Sequence, residues 1–67
     1  MALSLADVRT VLTVPRKIPR RKDAQQAEVD YVSARVNFFN RTTPATWAQL
    51  VDAARRLHAE VKKAGGD

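Results

Sequence analysis

The sequence predicts an all-α fold, a small three-helix domain with helices at about residues 4–14, 23–40 and 43–64. Apolar residues recur in steps of three and four over most of the chain, and residues 24–39 contain neither Gly nor Pro. The prolines stand between the helical stretches or at the start of one. Sixty-seven residues make one domain at most, and residues 65–67 are expected to be a flexible C-terminus.

The first helix is predicted to begin at Ser4. Ser4 and Asp7 have the spacing of a capping box, with Asp in place of the usual Glu or Gln. Apolar residues then recur at helical spacing: Leu5, Val8 and Leu12. A strand is the alternative, since residues 9–14 are rich in β-branched side chains. The rival fold is an N-terminal strand followed by two helices, in a dimer.

Two resemblances accompany these alternatives. With a strand at residues 9–14, the order of elements is similar to that of ribbon-helix-helix repressors, although the linker there is normally shorter than Pro15 to Lys22. Residues 5–14, read as a helix, resemble the first helix of excisionase-type helix-turn-helix proteins. The turn glycine is absent and Pro19 interrupts the second helix. Both resemblances point to DNA binding, and neither identifies a family.

Residues 15–22, here called the basic segment, carry the net charge of the chain. The segment holds five of the twelve Lys and Arg residues and no acid, and the other seven cations are balanced by seven acids. Pro15 and Pro19 favour an extended, semi-rigid path, and Ile18 is expected to fix it to the core. The predicted nucleic-acid-binding residues, which would contact phosphates, are Arg16, Lys17, Arg20, Arg21, Lys22 and Arg41. The alternative is a disordered connection that improves solubility.

The second helix, preceded by a predicted capping pair of Asp23 and Gln26, carries two apolar lines. One line consists of Val29, Val32, Val36 and Phe39, and the other of Ala27, Tyr31, Ala34 and Phe38. This arc is wider than one surface requires, so one line should face the core and the other a partner. The alternative is a core that covers both lines. The predicted partner or dimer interface is Tyr31, Arg35, Val36, Phe38 and Phe39, with Glu28 and Arg35 pairing across an antiparallel dimer.

The third helix has the strongest local signals. Thr43 followed by Pro44 is a good pair for the N-cap and the first helical position. The apolar positions are Trp47, Leu50, Ala54, Leu57 and Val61. Arg56 is spaced to pair with Asp52 and Glu60, and Gly65-Gly66 is expected to end the helix. Thr46 and Gln49 near its start are suited to contact base edges or phosphate.

The residues that catalysis needs are missing. The chain has no Cys, one His and no glycine-rich phosphate loop, and its apolar runs are too short for a membrane span. We therefore expect no enzyme activity, cofactor, metal site or small-molecule substrate, no association with a membrane, and a cytoplasmic location. His58 is interpreted as a partly buried helix residue.

Two functions of different class remain. The first is a small basic nucleic-acid-binding or regulatory module that contacts phosphates through residues 16–22. The alternative is a non-enzymatic protein-binding adaptor or inhibitor that acts through the apolar face of helix two as a homodimer. Both require a macromolecular partner, either nucleic acid or a protein, which includes a second copy of the chain.

Overall fold

A computed structural model describes residues 3–64 and confirms the all-α prediction. Its helices are α1 (Leu5–Leu12), α2 (Lys22–Asn40) and α3 (Pro44–Lys63). Residues 9–12 are helical, and no strand occurs within residues 3–64, so the strand alternative is wrong. The order of elements therefore differs from that of ribbon-helix-helix repressors. The expected flexible end at residues 65–67, including the glycine pair, lies outside the described residues.

The core lies between α2 and α3, and α1 packs on α3. Half of the buried apolar residues are alanines: Ala24, Ala27, Ala34, Ala53 and Ala54. The other buried residues are Tyr31, Leu50, Val51, Leu57 and Val61, of which Leu57 alone among the described residues is both large and fully buried. Short side chains let two helices pack closely, but they bury little apolar surface. The core is therefore thin.

The first helix is shorter than predicted at both ends. Ser4 is its N-cap, but no side-chain capping bond forms, and Asp7 instead binds Arg55 of α3 over 2.8 Å. The expected capping box is therefore absent. The helix ends at Leu12, and the hydroxyl of Thr13 donates to the carbonyl oxygen of Arg9. The residue before a proline avoids the helical region, which accounts for the early end.

The inward face of α1 also differs from the prediction. Leu5 and Leu12 are 74% and 77% exposed, whereas Val8 and Val11 are half-buried. The helical period is confirmed, but of the three apolar positions that it names only Val8 is half-buried. In a helix of two turns, contacts with α3 decide the rotation about the helix axis, and the local pattern does not record those contacts.

The second helix begins one residue earlier than predicted, at Lys22. Arg21 is the N-cap and makes no side-chain capping bond, so the expected Asp23–Gln26 box is wrong. Gln26 instead donates from Nε2 to Oδ1 of Asp30 over 3.0 Å. Gln26 lies inside the helix, so its side chain binds Asp30, four residues further along the helix surface, and does not cap the N-terminus.

The third helix begins as predicted. The hydroxyl of Thr43 accepts the main-chain N–H of Thr46 over 3.2 Å, and the hydroxyl of Thr46 accepts the N–H of Thr43 over 3.0 Å. Arg56 pairs with Asp52 over 3.3 Å, while Glu60 lies 3.9 Å from Lys63 instead of pairing with Arg56.

Candidate nucleic-acid interface and apolar face

The basic segment is anchored to the core. Val14 and Ile18 are partly buried and pack against the core cluster, and Pro15 and Pro19 are half-buried beside them. The N–H of Arg21 donates to the carbonyl oxygen of Pro19 over 2.8 Å just before α2 begins. The prediction that Ile18 fixes this segment is therefore confirmed. Its charged side chains project from a backbone with a defined path.

All five cations of the segment are exposed: Arg16, Lys17, Arg20, Arg21 and Lys22. None of them forms an ion pair with a carboxylate of the described residues. The ion pairs that do form use three other cations, Arg55, Arg56 and Lys63. The positive charge of the segment therefore stays available to a ligand.

Arg16 and Lys17 lie across a groove of about 770 Å³ from the C-terminal half of α3. Its walls are Thr13, Pro15, Arg16, Lys17, His58, Val61 and Lys62. Lys62 is not among the predicted site residues, since a cation in the last helical turn is explained by the helix dipole. Packing of α3 against the segment makes Lys62 the third cation of this groove.

His58 fixes the adjoining wall. Its Nε2 lies 2.9 Å from the carbonyl oxygen of Thr10, and because a carbonyl only accepts, Nε2 donates and carries a proton. His58 is half-buried, as predicted. A neighbouring groove of about 400 Å³ between α1 and α3 shares His58 and Thr13 and adds Arg9 at its edge. The two grooves form one face of the molecule, and Arg9 extends its positive charge.

The other three cations of the segment surround the start of α2. Arg21 is the N-cap, Lys22 is the first helical residue, and Arg20 precedes both. The N-cap makes no side-chain capping bond, so the first N–H groups of the helix have no side-chain acceptor from Arg21 and lie near three cations. Cations at this end oppose the helix dipole, and a bound anion offsets that cost.

Three residues that were predicted to contact nucleic acid lie apart from these clusters. Arg41 is the C-cap of α2, which places it about 28 Å from the basic segment at 1.5 Å per residue. The hydroxyl of Thr46 is engaged in the α3 cap and with the carbonyl oxygen of Arg41. Gln49 lines a groove with Asp30 and with the ion pair of Asp52 and Arg56, so the net charge beside it is negative and disfavours phosphate. The start of α3 is therefore poorly suited to base contacts.

The two apolar lines of α2 face in different directions. The line of Ala27, Tyr31, Ala34 and Phe38 packs inward, as expected for one of the two lines. The other line is exposed, by 56% at Val29, 40% at Val32, 48% at Val36 and 73% at Phe39. We call these four residues the apolar line. It is the largest set of exposed apolar side chains on one described helix.

The predicted interface residues are divided between the core and the surface. Tyr31 is buried, and Phe38 packs on Trp47 with ring centroids 5.4 Å apart. Val36 and Phe39 are exposed, and the guanidinium of Arg35 lies 5.7 Å from the centre of the Tyr31 ring. A partner that docks on α2 would thus contact the apolar line and Arg35, whereas Tyr31 and Phe38 belong to the core.

Comparisons of the chain with models of protein families, with curated proteins and with solved structures find no match. None of the helices within residues 3–64 combines the length and apolar composition that a membrane crossing requires. Over the same residues, His, Asp and Glu side chains do not gather in groups of three that could hold a metal ion.

Proposed function

We propose that this protein binds nucleic acid through phosphate contacts made by the basic segment. One observation carries the proposal: five exposed cations, none paired with a described carboxylate, project from a segment that Ile18 and Val14 hold against the core. Phosphate contacts release counterions and supply most of the affinity of non-specific nucleic-acid binding. The proposed role is that of a non-enzymatic module in the cytoplasm.

Because the basic segment is anchored to the core, its charges can bind a ligand at a lower cost in conformational entropy. A disordered basic tail loses conformational entropy when it binds, whereas a segment with a fixed path has already lost much of it on folding. Arg16 and Lys17 also gain a third cation, Lys62, from α3 across their shared groove. The cations can therefore engage neighbouring phosphates of one strand at a small entropic cost.

Recognition by this surface should depend weakly on base sequence. Phosphate contacts position a protein without reading bases. The hydroxyl of Thr46 is occupied by the α3 cap, and Gln49 lies beside two carboxylates. We therefore propose a binder of nucleic-acid backbone and assign no base-reading residue.

The test compares two double variants of equal charge. Arg20→Gln with Arg21→Gln removes two unpaired cations of the segment, whereas Arg56→Gln with Lys63→Gln removes two cations that pair with acids on the same helix. Fluorescence anisotropy with a labelled DNA duplex is followed over a salt series. We expect the first double variant to reduce the slope of log K against log salt by about 2, at roughly 0.9 per phosphate contact.

The control double variant should change that slope little, and exposed ion pairs contribute little to stability, so it should remain folded. Equal losses in the two variants would show that only net charge matters, and not the basic segment. Absence of binding to duplex DNA and to single-stranded RNA at low salt would overturn the proposal altogether.

A further inference from the structure

We infer that the apolar line of α2 binds a second copy of this chain, with the two α2 helices antiparallel. This interface is built from α2 and does not depend on nucleic-acid binding, although Arg16 of the basic segment borders it. Seven large apolar side chains of the described residues are exposed: Leu3, Leu5, Leu12, Val29, Val32, Val36 and Phe39. Five non-alanine apolar residues are buried. A domain with so thin a core gains stability by covering apolar surface through association.

The spacing of the apolar line fits a helix pair. Val29, Val32, Val36 and Phe39 are separated by three, four and three residues, which is the a and d pattern of a coiled-coil seam. The line runs from Val29 to Phe39, over more than half of the 19-residue helix. Its exposed side chains are the knobs that such packing requires, and a flat partner surface would leave the spaces between them unfilled.

Charges beside the line identify a second copy as the occupant. Glu28 and Arg35 each precede an a position, by one residue before Val29 and Val36, so they lie on the same edge seven residues apart. Neither forms an ion pair within the described residues. In an antiparallel pair this edge of one helix faces the same edge of the other. Glu28 of each copy then meets Arg35 of the other, twice by symmetry.

A parallel arrangement lacks this match. There the same edge faces the opposite edge of the partner helix, which offers Ser33 and Asn40 in place of an opposite charge. In the antiparallel register set by the two charge pairs, Val29 and Val32 of each copy lie across from Val32 and Val29 of the other. Val36 and Phe39 then extend toward the start of the partner's α2. Leu12 of α1 borders the same groove as Val32, Glu28 and Arg35, and adds apolar surface at the edge of the contact.

Charge reversal tests the arrangement without nucleic acid. Sedimentation equilibrium of the intact chain should give twice its 7.5 kDa mass. Glu28→Arg alone and Arg35→Glu alone each place like charges opposite one another in both pairs. We expect each to raise the dimer Kd about tenfold or more, corresponding to about 1.4 kcal/mol. The double variant restores opposite charges, and its Kd should return to near that of the original chain.

Asp30→Arg is the matched control, since Asp30 is exposed on the opposite side of α2 and should leave the Kd unchanged. Helical circular dichroism checks that Arg35→Glu remains folded, because Arg35 lies over Tyr31. Val32→Asp, which places a charge in the centre of this register, should give a monomer. A monomeric intact chain at high concentration, or a double variant as weak as the single ones, would overturn the inference, as would a different protein occupying the line of a monomer. Loss of nucleic-acid binding alone leaves it standing.

Discussion

The hydroxyl of Tyr31 in α2 donates a hydrogen bond to the main-chain carbonyl oxygen of Val11 in α1, over 3.3 Å. Because α1 packs on α3, this bond ties it to the other long helix as well. Val11 lies in the last turn of α1, where carbonyl groups lack partners within the helix. A core residue of α2 thus also completes the end of α1.

Tyr31→Phe should lower the free energy of unfolding by about 0.5–1.5 kcal/mol, the usual net contribution of one hydrogen bond. The ring remains and no cavity forms, so the loss reports the hydroxyl alone. Urea denaturation measures it. Stability unchanged within error would mean that water replaces the phenol at this carbonyl without cost.

The cap of α3 gives a second prediction. Thr43→Ala removes a side chain that accepts the N–H of Thr46, and should cost about 1 kcal/mol of stability. Ser4→Ala is the control, since Ser4 has the same position before α1 but makes no side-chain capping bond. That variant should lose much less. Equal losses in thermal or urea denaturation would contradict the difference between the two caps.

Anchoring of the basic segment is tested by Ile18→Ala. Ile18 is partly buried, so we expect a loss of about 1–2 kcal/mol, less than for a fully buried isoleucine. Affinity for nucleic acid should fall several-fold, while the salt slope stays constant because no charge changes. Leu5→Ala, at a site 74% exposed, is the control and should affect neither quantity. Unchanged affinity in a destabilised Ile18 variant would mean that the fixed path is not used in binding.

Substitution of two adjacent lysines, Lys62 and Lys63, tests whether the groove between the basic segment and α3 binds phosphate. Lys62 lines it with Arg16 and Lys17, whereas Lys63 lies 3.9 Å from Glu60. Lys62→Gln should weaken binding of a DNA duplex at low salt more than Lys63→Gln does, although each removes one positive charge. Equal effects in the anisotropy titration would exclude the groove as a phosphate site.

The sequence predicted the elements that local chemistry determines. The α3 cap at Thr43 and Pro44 needs only neighbouring residues, and the two lines of α2 follow from the helical period. The buried line of α2 was not predicted, since both lines are apolar. Ala27 and Ala34 allow α3 to approach closely, and this property depends on the facing helix.

The rest of the candidate site depends on tertiary packing. Lys62 joins Arg16 and Lys17 because α3 runs past the segment, and those residues are more than forty positions apart in the chain. Arg41 is at the far end of α2, although its charge made it resemble a member of the same surface. Spacing along the chain records neither relationship.

In the inferred dimer, the 19-residue length of α2 determines how far apart the two ends of the dimer lie. Antiparallel pairing places Arg41 of one copy beside the basic segment of the other, so each end of the dimer carries cations from both chains. The two ends are about 30 Å apart at 1.5 Å per residue. One turn of B-DNA spans about 34 Å. In such a dimer the length of α2 would set the distance between the two positive ends, which is close to one helical turn of a DNA duplex.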